Sequence, residues 1–355
     1  MKHLVVVGAC YLDTILTVPH YPGEDEKLRA TSISHRRGGN GPNTLEVLAQ
    51  LLHHKIPDNT RHPTTIPQPA SPRPSLHLIS TLPSKQSQAV SNIASSLDPT
   101  VDIDHSIFRE SHTEPASSYI VRSSTSGSRT IVNYNDLPEM TEHDFQSAAE
   151  QLLSDAETWW FHFEGRIPEV TLRCIRYVRE RCPEATVSVE VEKPQREGLE
   201  DLARAADVVF YSRSWAAARG YTSAAECVKE QAVRTRRDTR QMPRHAGTPS
   251  MLSICTWGEH GAALYAPAWQ EPVEAPALEI ADGKVVDTIG AGDTFIAGML
   301  HGFLSVQERF ADFVRILVFA NELAGLKVMR EGFDGLAEDV YRRATDLERV
   351  ILGME

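Results

Sequence analysis

The residues best suited to chemistry lie in the string Asp287-Thr288-Ile289-Gly290-Ala291-Gly292-Asp293-Thr294-Phe295. Two glycines flank a small alanine, so the backbone there can turn tightly and approach a ligand closely. A carboxylate follows, at the start of a helix-forming run. Free N–H groups at a helix start, reinforced by the helix dipole, cradle an anion. A phosphate that gains negative charge during transfer suits such a cradle. Asp293, beside it, can take the proton of an attacking hydroxyl, the base role that phosphoryl transfer needs. A plainer interpretation makes Asp293 a helix N-cap and the glycines a turn. The string is not a dinucleotide fingerprint, because Phe295 stands where a third glycine belongs, and it lacks the Gly-Lys-Ser of a P-loop.

A second constellation is Gly38-Gly39-Asn40-Gly41-Pro42-Asn43, with Asp13 upstream. Its glycines allow close backbone approach, and its two amides and carboxylate offer both donors and acceptors. A polyhydroxylated sugar demands that mixture. A turn plus a helix cap from Asn40 or Asn43 accounts for the same residues.

These groups need a scaffold, and the sequence spells one out. Leu4 to Val7, ending at Gly8, reads as a buried central strand. Helical runs at 141–153, 168–181, 195–205 and 222–235 alternate with strand-like runs at 159–163, 186–191, 207–212 and 251–256. That alternation predicts a parallel sheet covered by helices on both faces. Two more helices are expected at 291–304 and from Phe310 to Ala324. The runs SSYIVR and RTIVNY, joined at Ser126-Gly127-Ser128, predict a hairpin. Residues 17–37, with Pro19, Pro22, Gly23 and the β-prone stretch Thr31 to Ser34, read separately as a strand-rich excursion from the core. Residues 54–75 carry six prolines and no apolar period, which marks a surface insertion. Residues 234–250 hold five arginines and read as a solvated loop, with an anion patch as the other option.

The totals narrow the function. A chain of 355 residues with net charge −12 lacks the positive field of a nonspecific nucleic-acid binder. Five cysteines, with no Cys-x-x-Cys pair, argue against a zinc site or a disulfide framework and fit a reducing compartment. The apolar run at the N-terminus is too short for a signal peptide, and no stretch reaches the roughly 20 apolar residues of a membrane span. A cytoplasmic location with no membrane partner is expected.

Taken together, these strings resemble the ribokinase or PfkB-type carbohydrate kinases, and most closely their ketohexokinase branch. The likeness spans nearly the whole chain. Gly8 to Asp13, Tyr21-Pro22, Glu24-Asp25-Glu26, Arg37 to Asn40, and Ser126 to Ile131 fall where the family has similar segments. Trp257 to Ala262 and Gly332-Phe333-Asp334-Gly335 do so as well. His162 to Arg166 and Val187 to Pro194 resemble the ketohexokinase branch in particular. The resemblance implies a three-layer α/β, ribokinase-like fold in a single domain, 1–353, with a β-lid from about 14–37 and 116–135. It implies that Asp13, Gly39, Asn40 and Asn43 bind sugar hydroxyls, and that Gly290, Ala291 and Gly292 form the anion hole for the base Asp293. Arg129 would reach from the lid to the phosphates and Lys193 would approach them, while Gly258, Glu259, His260 and Gly261 would line the nucleotide. The implied cofactors are ATP and Mg2+, with a monovalent cation such as K+ as a further candidate. The implied reaction is transfer to C1 of a ketohexose such as fructose. A kinase of another sugar or a nucleoside (ribose, adenosine) and a non-catalytic sugar sensor are the alternatives. Pairing of two subunits through the lid is the expected assembly. The family's Asn-x-x-Glu after a central strand is missing from Tyr211-Ser212-Arg213-Ser214-Trp215, which leaves the metal ligands unassigned.

Overall fold

The computed structural model describes residues 2–54, 73–153, 157–238, 251–280, 285–305 and 310–343. Strand β1, Lys2–Val7, shows how the core is divided. Successive side chains of a strand point to opposite faces. Leu4 and Val6 accordingly join one apolar cluster, and Val5 and Val7 the other.

The lid strands β2 (Tyr11–Val18) and β3 (Ser32–Gly38) follow, then α1 (Asn40–His53) and β4 (Ser75–Ile79). Next come β5 (Thr81–Pro83), α2 (Gln88–Ser96), β6 (Val101–Asp102) and β7 (Ile107–Arg109). The chain returns to the lid as β8 (Ser117–Ser123) and β9 (Arg129–Tyr134). Helices and strands then alternate: α3 (Glu142–Leu152), β10 (Thr158–Phe163), α4 (Pro168–Arg181), β11 (Thr186–Val191) and α5 (Leu199–Ala205). They continue as β12 (Val208–Tyr211), α6 (Arg213–Ala218), α7 (Ala224–Asp238) and β13 (Leu252–Thr256). The edge strands β14 (Ala262–Tyr265) and β15 (Val273–Ala275) precede α8 (Ala291–Ser305) and α9 (Phe310–Val328).

The central sheet has nine strands in the order β15-β14-β13-β12-β11-β10-β1-β4-β6. It is parallel from β6 to β13, and β14 and β15 add antiparallel to one edge. One face packs against α1, α2, α8 and α9, and the other against α3, α4, α5, α6 and α7. A separate four-stranded sheet, β3-β2-β8-β9, forms the lid.

Three expectations need correction. The helix expected at 195–205 begins at Leu199, because Gly198 takes a left-handed conformation, φ +83°, just before it. The loop expected at 234–250 is helical as far as Asp238, the end of α7; residues 239–250 lie outside the described residues. The stretch expected as an insertion at 54–75 already enters β4 at Ser75, and its residues 55–72 also lie outside the described ones.

Candidate active site

Asp293 is the third residue of α8 and is 8% exposed. It is therefore not the N-cap of that helix. Gly290 makes the preceding turn with φ +79°, and its carbonyl accepts the Thr294 N–H at 2.8 Å. A Cβ on Gly290 would lie 2.4 Å from the Phe333 ring, so the position excludes a side chain twice over. A Cβ on Gly292 would meet nothing within 4 Å, which leaves open space above the helix start for a ligand.

Helix α1 supplies the partners of Asp293. The Asn43 Nδ2 donates to Asp293 Oδ2 at 2.7 Å, and Thr44 Oγ1 donates to the Asp293 carbonyl at 3.3 Å. Asn43 is itself fixed, since its Oδ1 accepts from Arg37 Nη1 at 3.1 Å, and Arg37 pairs with Glu46. Asn40, the first residue of α1, donates to Glu190 Oε2 at 2.7 Å and to Glu192 Oε2 at 3.2 Å. Gly39 enters that helix with φ +106°, and a Cβ there would lie 2.0 Å from the Ala9 carbonyl oxygen.

Glu190 and Glu192 stand at and just beyond the carboxyl end of β11. A polar chain leads to Glu190 from within the sheet. Trp160 Nε1 donates to Ser188 Oγ at 2.8 Å, Ser188 Oγ lies 2.8 Å from His162 Nδ1, and His162 Nε2 lies 3.2 Å from Glu190 Oε1. Burial drives the His162 pKa down to about 3, so the ring is neutral and its Nε2–H can donate to Glu190. Burial pushes Glu190 up to about 7, Asn40 opposes that rise, and Glu192 adds to it. Asp293 is held well above the ordinary carboxylate range, first by burial and then by the charge of Glu190, against the Asn43 hydrogen bond. Carboxylates crowded in a buried site hold protons to higher pH, which suits a proton acceptor working near neutrality.

Asp13, Gly38, Gly39, Asn40, Asn43, Glu190, Glu192, Gly290, Gly292 and Asp293 together line a cleft of about 560 Å3 at the carboxyl ends of the sheet strands. Asp13 Oδ1 is buried there without a hydrogen-bond partner among the described residues. Such an acceptor fits an incoming hydroxyl. A second cavity of about 540 Å3 is lined by Gly258, Glu259, Gly261, Ala291 and a largely apolar set including Leu278, Val285, Ala324 and Val328. The two cavities share Thr256, Thr288, Gly292 and Phe295, so the glycine loop lies between them.

The structure does not bring every expected residue to these cavities. Arg129 opens β9 opposite Arg122, exposed at the hairpin end of the lid. Lys193 is exposed and paired to Glu192 at 2.6 Å. His260 sits in the Gly258–His260 turn but lines neither cavity. The positive side chains that do line the cleft are Arg36, Arg37 and Lys327. Arg36 and Lys327 were not assigned from sequence, nor were Glu190 and Glu192. The two carboxylates at alternate positions after an apolar strand were the available signal. Among the described residues, no group of three or more His, Cys, Asp or Glu is arranged to hold a metal ion. Among the same residues, no helix is long and apolar enough to cross a membrane.

The description "pfkB family carbohydrate kinase" belongs to the family whose profile matches residues 1–338. The chain belongs to this family. It is 29% identical over 342 residues to mouse ketohexokinase, covering 94% of this chain and 99% of that one. Its fold is that of Arabidopsis thaliana ribokinase complexed with ribose and ATP, with TM-score 0.66, 18% identity, and coverage of 96% and 98% of the two chains. The Methanocaldococcus jannaschii nucleoside kinase of the ribokinase family is similar, with TM-score 0.65, 16% identity, and coverage of 98% and 99%. As a pfkB-family sugar kinase, the protein is a phosphotransferase with an alcohol group as acceptor.

Proposed function

We propose that this kinase transfers the γ-phosphoryl group of ATP to the C1 hydroxyl of a ketohexose such as fructose. The observation that carries this reading is the burial of Asp293 beside the Gly290–Gly292 loop, between one polar and one largely apolar cavity. The polar cavity takes the sugar. Asp13, Gly39 and Asn40 face its hydroxyls, and Asn43 aims the Asp293 carboxylate. The apolar cavity takes the adenine end of the nucleotide along Gly258, Glu259 and Gly261, which places the γ-phosphate over the glycine loop.

In the reaction, the acceptor oxygen attacks the γ-phosphorus while its proton passes to Asp293. The bond to the bridging oxygen breaks and ADP leaves, with the loop N–H groups stabilising the charge that develops. Mg2+ bound with the nucleotide would supply neutralisation of that charge. Glu190 and Glu192, as hard oxygen donors, are the residues that would hold it. Mouse ketohexokinase is named for ketohexoses, and its likeness along the whole chain supports that acceptor. The lid also leaves Ile33 and Val132, each 60% exposed, with Tyr119 and Tyr134 on one of its faces. A second subunit covers that apolar face in our account.

An ADP-release assay across fructose, tagatose, ribose and adenosine tests the acceptor. The highest kcat/KM is expected with fructose. Turnover confined to ribose or adenosine would reassign the substrate, and ADP release independent of any acceptor would reject the kinase role.

A further inference from the structure

Lys327 is the buried cation that the proposed mechanism leaves unused. It lies next to the last residue of α9, and none of it is exposed. A buried ammonium is costly unless oxygen atoms surround it. Here Nζ donates to the Asp287 carbonyl at 3.1 Å, to Asp287 Oδ2 at 3.2 Å and to the Arg330 carbonyl at 3.2 Å. These acceptors come from two segments far apart in sequence: the entry to the glycine loop and the turn after α9.

Other contacts close the same junction. The N–H groups of Val286 and Asp287 both donate to the Val328 carbonyl, at 2.8 and 3.2 Å. Asp287 Oδ1 accepts the Ile289 N–H at 3.0 Å, which ties the carboxylate into the loop. Phe333 lies with its ring centre 5.4 Å from Nζ and packs on Gly290. Burial raises the pKa of Asp287, but the Ile289 N–H, Lys327 and Arg36 bring it below the ordinary value, so it stays ionised. Two carbonyls and a carboxylate are the oxygen set of a hard-cation site.

The geometry points to Lys327 as a positioning residue that serves as a built-in monovalent cation, holding residues 287–292 in their phosphate-binding shape. Its Nζ already fills the position among the three oxygens, so the protein requires no dissolved K+. This inference rests on the kinase reading for its purpose, but binding alone can test it.

The test is calorimetric titration of the full chain with a non-hydrolysable ATP analogue and Mg2+, in tetramethylammonium chloride and in KCl. The wild-type Kd is expected to change less than about twofold between the salts, and Lys327→Ala to weaken it at least about tenfold. Methylammonium or K+ should restore part of the loss in Lys327→Ala, because either can enter the vacated oxygen cage. A wild-type affinity raised more than about fivefold by K+ would overturn the inference. So would an unchanged Kd in Lys327→Ala, or a loss that no small cation relieves. If thermal melting shows that Lys327→Ala does not fold, the wild-type salt comparison decides alone. Failure of every acceptor in the ADP-release assay would instead reject the substrate reading and leave this binding result standing.

Discussion

Protonation at the site is governed by individual carboxylates in a small, dry space. Glu190 is 4% exposed, and its pKa is raised to about 7, first by burial. A carboxyl group raised in the folded state stabilises the fold only while it stays protonated. Its contribution is whole below the unfolded pKa near 4.5 and is lost as pH rises towards 7. Glu190→Gln, which cannot ionise, should therefore be more stable than wild type at pH 8, by on the order of 2–3 kcal/mol, with the gap closing near pH 4.5. His162 can accommodate the amide by exchanging tautomers, since Ser188 Oγ lies on its other nitrogen. Denaturant melts at both pH values check this, and a gap independent of pH would show that Glu190 is not a buried, titrating group. Asp293 is raised for the same first cause. Proton acceptance requires its ionised form, so kcat/KM should climb from pH 5 to pH 8. A flat pH–rate profile over that range would remove Asp293 from the base role.

At the scale of elements, the glycine loop and the start of α8 are where backbone shape becomes chemistry. Gly290→Ala places a side chain at φ +79° and against Phe333, so it should lower the melting temperature and weaken ATP-analogue binding together. Gly292→Ala meets open space. It should leave the melting temperature nearly unchanged and still cut kcat at least about tenfold, because its methyl group intrudes on the phosphate. Equal melting losses in the two variants would contradict the geometry at this turn. The glycine loop, the Gly38–Asn43 segment that leads into α1 and the long alternating helices and strands were legible in sequence because periodicity and glycine spacing are local properties. The short strands β5, β6, β7, β14 and β15 were not, since two to four residues carry no measurable period. The partners of Lys327 were also hidden: in sequence it is one lysine near a helix end, where a solvated side chain is the ordinary expectation. Its oxygen cage includes Asp287, 40 residues away, and only the folded chain brings the two together. Glu190 and Glu192 reach Asn40 across 150 and 152 residues, beyond any local pattern.

For the whole molecule, the carboxyl ends of β11, β12 and β13 and the lid strands β2 and β3 line the polar cavity, and Thr256 of β13 is shared with the apolar one. The exposed face of the lid predicts its own assembly. Val132→Asp combined with Ile33→Asp should convert a dimer to a monomer, read as molar mass by light scattering after size exclusion; a monomeric wild type would contradict pairing through this face. In the proposed reaction a lid, a sheet and two cavities deliver an acceptor hydroxyl to Asp293. The most direct test is fructose-dependent ADP release by folded Asp293→Asn against wild type. Asn fills the same volume and keeps the contact to Thr44 through its backbone, so the fold should persist. It cannot accept the proton, and kcat should fall by about 10²–10⁴-fold. If the folded variant keeps near wild-type kcat, Asp293 is not the base and the mechanism is wrong.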